Sequence, residues 1–206
     1  MGRHRIHVVK RNGNLVPIDT NKITERIEAL CEGLDESIDP TLVMRDTTRS
    51  IVDGISTREI DEISARESQY KVKVHPDYGR LAARLLVSNL HKSTPHSFSE
   101  TMGNLYDAGY QFDDNAINFI RANAKTLDSM IIHSNDFLYN YNGVVTLFNA
   151  YLHKIDGVIH DRPQYMLMRI AIMLYAFPEM QTVLDGLQPP TNNPLVSIKE
   201  CYKVFS

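Results

Sequence analysis

The sequence predicts a mainly α-helical protein in which a small amino-terminal β-hairpin precedes four helices and a second helical region. Three observations predict this class. Apolar residues recur at intervals of three and four over most of the chain, which is helical spacing. Asn12-Gly13, between two short β-prone runs, is a strong hairpin signal. Ser93-Thr94-Pro95 interrupts the helical pattern, so we place a boundary there between domains 1–95 and 96–206.

The hairpin pairs Ile6–Lys10 with Leu15–Ile18, and Pro17 predicts that the second strand lies at a sheet edge, because proline cannot donate a ladder hydrogen bond. A first helix follows, with Asp19, Thr20 or Asn21 as its cap. Its core-facing positions are Ile23, Ile27, Leu30, Cys31 and Leu34.

Two further helix starts are readable from capping residues. Asp39-Pro40 opens a second helix, which we expect to end at Gly54. Ser56-Thr57-Arg58-Glu59 is a capping-box pattern and opens a third helix. The fourth helix, Val74–Lys92, is apolar over most of its girth, so it is expected to lie at the centre of the first domain with Lys92 at its end.

The second domain is also predicted to be helical. Ile155-Asp156-Gly157-Val158 is expected to form a tight hairpin within it. Residues 188–194 are rich in proline and asparagine and are expected to form a loop. The predicted helices are Ser97–Tyr106, Ala116–Leu127, one from the Tyr139–Gly143 turn through Leu152, one from Arg162-Pro163, and Ile198–Phe205.

Composition excludes several classes of protein. A net charge of −3 gives no general attraction to nucleic acid or to anionic membranes. Two cysteines, Cys31 and Cys201, lie far apart, which argues against a zinc ribbon or a disulfide framework and is typical of a reducing compartment. We find no apolar run long enough to span a bilayer and no signal peptide, so a cytoplasmic protein is expected. The eight histidines form no metal-binding pattern, and no catalytic residue is predicted.

Cationic residues from several elements could meet at one anion. Lys10 and Arg11 lie at the hairpin turn, Lys22 lies in the first turn of the first helix, and Thr57 offers a hydroxyl at the start of the third helix. If the hairpin lies across the helix ends, these residues and Lys92 could surround one polyphosphate, with Asp61 as a nearby acceptor. The alternatives are a solvated strand end and a lysine favoured by the helix dipole. No glycine-rich phosphate loop is present.

Short sequence motifs in both halves of the chain form a recognisable set. Those of the first domain are Val9-Lys10-Arg11-Asn12-Gly13, Lys22-Ile23, His75-Pro76-Asp77-Tyr78, Leu81-Ala82-Ala83-Arg84 and Ser88-Asn89-Leu90-His91-Lys92. Those of the second half are Asp136-Phe137, Tyr139-Asn140-Tyr141, Tyr151-Leu152, Arg162-Pro163-Gln164 and Met166-Leu167-Met168-Arg169. The first set resembles the ATP-cone domain. The second resembles the helical region that follows the ATP cone in the large subunit of eukaryotic-type class I ribonucleotide reductase, and the resemblance covers nearly all of residues 6–175.

This resemblance implies an allosteric activity site that binds ATP as activator or dATP as inhibitor, with Mg²⁺. It implies that Lys10, Arg11, Thr57 and Lys92 meet the phosphates and that Asp61 meets the ribose. The base and sugar would be wrapped by Val16, Pro17, Ile18, Asp19, Thr20, Asn21 and Lys22. Two positions depart from the family pattern: Val16 stands where relatives often have Glu, and Asn21 where they often have Asp.

The family's catalytic barrel and its reactive cysteines are expected to lie beyond residue 206, so this chain alone is predicted not to reduce ribonucleotides. The implied partners are the rest of the large subunit, the radical-generating small subunit or other ATP cones. Two alternatives stay open: a free-standing ATP- or dATP-sensing module that regulates a partner protein, and a helical interaction protein whose nucleotide site has decayed. Calorimetry with ATP and dATP separates the last from the others.

Overall fold

The computed structural model describes residues 6–176 and 193–206, and this part of the chain divides into two compact units. The first unit contains the described residues up to Lys92 together with Tyr139–Val145. The second contains Ser93–Leu138 and the described residues from Thr146 onward.

A three-stranded sheet opens the first unit. Strand β1 (His7–Val9) pairs antiparallel with β2 (Leu15–Pro17), which confirms the predicted hairpin. The turn between them passes through Gly13 at φ 81°, a left-handed conformation that glycine adopts without steric cost. β2 lies at the edge of the sheet, as Pro17 predicts.

The third strand, β3 (Ile55–Ser56), pairs parallel with the other side of β1, with Val9 opposite Ser56. The sequence did not predict it, because two residues are too few to show an alternating pattern. Its position matters because it leads directly into the next helix, so the register of the sheet determines where that helix begins.

Four helices form most of this unit, as predicted, but the second ends at Arg49, where Ser50 caps it, rather than at the expected Gly54. They are α1 (Thr20–Leu30), α2 (Pro40–Arg49), α3 (Thr57–Tyr70) and α4 (Asp77–Ser93). Side chains cap the first three: Asp19 accepts from the amide of Asn21, Asp39 from that of Thr41, and Ser56 forms the predicted capping box with Glu59. Each cap satisfies an amide that a helix start leaves without a partner.

Helix α4 supplies much of the core of the first unit. Leu81 and Ala82 are fully buried, and Leu85 is almost so. It begins at Asp77 rather than Val74, because Val74 closes the short 3₁₀ turn Lys71–Lys73 and Pro76 disfavours helical backbone at His75. The core it helps to form contains Val8, Ile23, Ile27, Val43, Ile60, Ile63, Tyr78, Leu81 and Leu85.

The second unit is again mainly helical. Its regular helices are α5 (Phe98–Asp107), α6 (Asp114–Ala122), α7 (Ala124–Met130), α9 (Pro163–Tyr175) and α10 (Pro194–Phe205). A small hairpin, β4 (Lys154–Ile155) with β5 (Val158–Ile159), forms as predicted. Helix α8 (Tyr141–Thr146), most of which belongs to the first unit, is followed by a π-helical turn over Leu147–Tyr151 in the second. The core includes Phe98, Leu105, Leu127, Tyr165, Met168, Ile198 and Tyr202.

Two predicted boundaries in this unit were wrong. The single helix expected over Ala116–Leu127 is broken at Asn123, whose side-chain amide donates to the carbonyl of Phe119 (2.9 Å). Such local bonding by asparagine competes with helix continuation. The last helix starts at Pro194 rather than Ile198, because Asn193 caps it. Most of the predicted 188–194 loop lies outside the described residues.

A buried arginine occupies the interior of the second unit. The Arg162 side chain donates from Nε to the hydroxyl of Thr94 (2.7 Å) and from Nη2 to the carbonyl of Thr94 (2.8 Å). Its Nη1 lies 3.3 Å from Nδ1 of His133, and its guanidinium lies over the ring of Tyr165. Only 1% of Arg162 is exposed, so these contacts replace its hydration.

Within the described residues, no helix combines the length and the apolar character needed to cross a bilayer.

Candidate functional site

Two cavities in the first unit share part of their lining at the hairpin end. The first, here called the hairpin cavity, measures about 270 Å³, and the second, the cationic cavity, about 590 Å³. The hairpin cavity is lined by Val8, Lys10, Val16, Pro17, Ile18, Asp19, Lys22, Ile23, Arg26, Thr57 and Ile60. The cationic cavity is lined by Lys10, Arg11, Asn12, Lys22, Arg26, Thr57 and Lys92.

The fold explains why distant residues meet here. Lys10 and Arg11 follow β1, and Thr57 follows β3; because these strands pair side by side, both chain segments reach the same end of the sheet. Lys22 and Arg26 lie one turn apart on α1, and Lys92 lies in the last turn of α4. The structure therefore brings the predicted cations and the Thr57 hydroxyl together around the cationic cavity.

One buried carboxylate joins three of these cations. Asp61 has a side chain only 2% exposed. Its Oδ2 lies 3.2 Å from Nη2 of Arg11 and 3.3 Å from Nζ of Lys92, and its Oδ1 accepts from Nη1 of Arg26. Arg11 also donates to Oδ1 of Asn89 (2.5 Å). A single negative charge thus faces three positive ones, and the cluster retains net positive charge.

The pKa values of the basic groups reflect burial and the excess of positive charge in this cluster. Burial, with the charges of Arg26 and Arg11, lowers the pKa of Lys92 to about 8. Burial and the charge of Arg11 lower the pKa of Arg26 to about 10. Burial and Arg58 lower the pKa of Arg11 as well. Because each shift disfavours the charged form, an anion in the cavity would stabilise all three groups.

Lys22 illustrates how the first turn of α1 tolerates a cation. A positive charge at a helix start opposes the helix dipole. Nζ of Lys22 lies 3.7 Å from Oδ2 of Asp19, the residue that caps the same helix. The carboxylate therefore offsets the charge while leaving the lysine, whose side chain is 72% exposed, on the rim of both cavities.

Most of the predicted site residues line one or both cavities. Thr20 and Asn21 form the first turn of α1 but line neither, and Asp61 lies among the cations. Val16 faces the hairpin cavity. The residues that do line the cavities are Lys10, Arg11, Val16, Pro17, Ile18, Asp19, Lys22, Thr57 and Lys92.

Three residues of the site were not predicted from the sequence. Arg26 lines both cavities and holds Asp61, Asn12 lines the cationic cavity, and Asn89 positions Arg11. The spacing of Lys22 and Arg26, four residues apart on one helix, was an available signal. Among the described residues, no group of three or more His, Cys, Asp or Glu side chains is arranged to hold a metal ion.

Comparison with known proteins identifies the domain that carries these cavities. Residues 6–93 match the family model described as the ATP cone domain. This segment is an ATP cone.

The chain is also similar to much longer proteins. The chain is 38% identical over 179 residues to a ribonucleoside-diphosphate reductase large subunit of Danio rerio, covering 82% of this chain and 22% of that protein. The corresponding subunit of Arabidopsis thaliana is 39% identical over the same shares, and that of vaccinia virus is 39% identical with 23% of its length covered. The chain therefore spans less than a quarter of the length of these relatives.

Proposed function

We propose that the ATP cone of this chain binds ATP or dATP as an allosteric effector of a ribonucleoside-diphosphate reductase, ATP activating and dATP inhibiting. The observation that carries the proposal is the convergence of positive groups from three separate elements, the hairpin turn, α1 and α4, on the cationic cavity. A triphosphate requires several charge-assisted contacts at once, and scattered surface lysines do not provide them.

The two cavities suit different parts of a nucleotide. The hairpin cavity has apolar walls, with Val8, Val16 and Ile60 among them, and would take the base and sugar. The cationic cavity would take the phosphates, with the Thr57 hydroxyl as a further donor. The expected contact between Asp61 and the ribose stays a prediction. In the free site both oxygens of that carboxylate face cations, so a ribose hydroxyl would have to share one of these oxygens.

Mg²⁺ would enter with the nucleotide and screen charge between the phosphates. The cationic cavity is lined by cations, an amide and a hydroxyl, and the buried carboxylate beside them, Asp61, is paired with three cations. Hard metal ions prefer oxygen ligands, so the phosphate oxygens and water would hold the ion.

The proposal extends to the process and the partners that the site would control, which are suggested by the similarity to reductase large subunits. The effector site would control deoxyribonucleotide synthesis by acting on the large-subunit barrel, on the radical-generating small subunit or on other ATP cones. We place this activity in the cytoplasm, where the free thiols of Cys31 and Cys201 would stay reduced. Mixing the chain with a barrel-containing subunit and measuring ATP-dependent activity distinguishes this role from a free-standing sensor.

Titration calorimetry tests the binding itself. ATP and dATP are both expected to bind the wild-type chain. Lys10→Gln removes one charged contact with the phosphates and is expected to weaken ATP binding by about tenfold or more. The matched control is Lys125→Gln, an exposed lysine of the second unit, which should leave affinity within about twofold. No heat of binding for wild type with either nucleotide would refute the proposal.

The pKa of Lys92 predicts a pH dependence of nucleotide binding. The free site holds this pKa at about 8, below the ordinary 10.5, and a bound triphosphate should raise it. Below pH 8 the lysine is protonated with or without nucleotide, so affinity should be flat. Above pH 8 binding must take up a proton, so affinity should fall by up to about tenfold per pH unit.

The measurement is calorimetry between about pH 7.5 and 9.0 in two buffers of different ionisation enthalpy, which reports proton uptake directly. Arg26, with a pKa of about 10, stays almost fully protonated over this range. The terminal phosphate, with an ordinary pKa of about 6, is already ionised over this range. Lys92→Arg keeps the charge and should abolish both the uptake and the slope. Equal slopes for wild type and the arginine variant would contradict the assignment to Lys92.

A further inference from the structure

One edge of the Arg26 guanidinium has no partner. Nη1 of Arg26 donates to Asp61, whereas Nε and Nη2 are buried without a hydrogen bond. In a planar guanidinium these two nitrogens form one side, with two N–H bonds pointing the same way. The unpaired donors are therefore a complete fork rather than two unrelated atoms.

Such a fork is unusual in a buried arginine, because an unmade hydrogen bond there is unfavourable. Among the described residues, the other arginine with a buried unpaired nitrogen is Arg169, where Nε alone lacks a hydrogen bond. Asp61, the carboxylate that Arg26 contacts, does not pair with the fork, since its oxygens already face Arg11, Lys92 and Nη1 of Arg26.

The residues around Arg26 indicate which chemical group would pair with its free edge. Arg26 lines both cavities, and its side chain is 20% exposed. Two parallel N–H donors match two oxygens of a phosphate or a carboxylate. The other residues around the cationic cavity supply several more positive charges, which favours the more highly charged phosphate.

We propose that Arg26 is a phosphate-binding residue of this site: its Nε–Nη2 edge grips a phosphate of the nucleotide in a bidentate contact while Nη1 stays on Asp61. This inference rests on the proposed function. Arg26 then links the phosphates directly to Asp61. The edge is closed to solvent, so the phosphate reaches it after a shift of the flexible side chains that share the cavity, Lys10 and Lys92 among them.

The first test is calorimetry with ATP on three variants. Arg26→Lys keeps the charge but loses the fork, and is expected to weaken ATP binding by about tenfold. Arg26→Gln removes both charge and fork and should weaken it further. The matched control is Arg58→Gln, which removes an exposed charge near Arg11 outside both cavities and should cost less than about threefold.

The second test separates phosphate binding from support of Asp61 alone. The Nε–H signal of Arg26, assigned by its loss in Arg26→Lys, should move downfield in NMR spectra when ATP is added and stay in place with adenosine. An unchanged signal at saturating ATP, or wild-type affinity in Arg26→Lys, overturns the inference. Failure of the wild-type chain to bind ATP at all would instead refute the proposed function.

Discussion

Asp61→Ala is expected to lower the free energy of unfolding of the first unit by about 3 kcal/mol. The side chain is 2% exposed, and its oxygens neutralise Arg11, Arg26 and Lys92. Alanine leaves these three cations facing one another without a counter-charge. The estimate takes the lower end of the usual range for a broken buried pair because all three cations keep part of their hydration.

Hydrogen exchange across α1 and α3 would measure this loss for the first unit alone. Glu62→Ala is the matched control: it removes an exposed carboxylate, paired with Arg58, from the next position of the same helix, and should cost less than about 0.5 kcal/mol. ATP should restore part of the stability of Asp61→Ala, because its phosphates replace the missing negative charge. Equal losses in the two variants would show that Asp61 does not hold the cluster.

Arg162→Ala is expected to lower the free energy of unfolding of the second unit by about 4 kcal/mol. The substitution removes the hydrogen bonds to the hydroxyl and carbonyl of Thr94 and the contact with Tyr165. It also empties the space of the largest fully buried side chain among the described residues, and alanine cannot fill that space.

The loss is measurable as faster hydrogen exchange in α5 and α9. The control is Arg121→Ala in the same unit, an arginine 52% exposed that lies 3.5 Å from Asp107 and over the ring of Tyr106. Its removal should cost less than about 1 kcal/mol. A small effect of Arg162→Ala, comparable to that of Arg121→Ala, would mean that the buried contacts merely offset the desolvation of the guanidinium.

Local signals made most of the fold predictable. Asn12-Gly13 specifies a hairpin turn by itself, and the capping box at Ser56 specifies a helix start within three residues. Helix breaks that depend on a side chain competing for backbone hydrogen bonds were harder to predict from the sequence. The break at Asn123 depends on a side-chain bond to the carbonyl of Phe119 that the helical pattern does not reveal.

In the site, too, the residues with a local sequence signal were predicted and those that depend on tertiary contacts were not. The sequence predicted one group of site residues, and the structure brings this group around one cavity: Lys10, Arg11, Lys22, Thr57 and Lys92. Arg26 was missed, because a lysine and an arginine four residues apart on a helix are also typical of a solvated face. Asp61 was expected as a nearby acceptor and, from the resemblance, as a ribose contact. Its pairing with three cations from different elements was not predicted, because that arrangement depends on tertiary structure.

The position of β1 has a mechanical consequence. This strand is bonded to β2 on one side and to β3 on the other, and β3 continues without a gap into α3. The turn that carries Lys10 and Arg11 is therefore tied to the first turn of α3, some fifty residues away in sequence. A ligand that draws this turn inward must displace the start of α3 as well, so strain at the hairpin is transmitted to the helix without any intervening loop to absorb it.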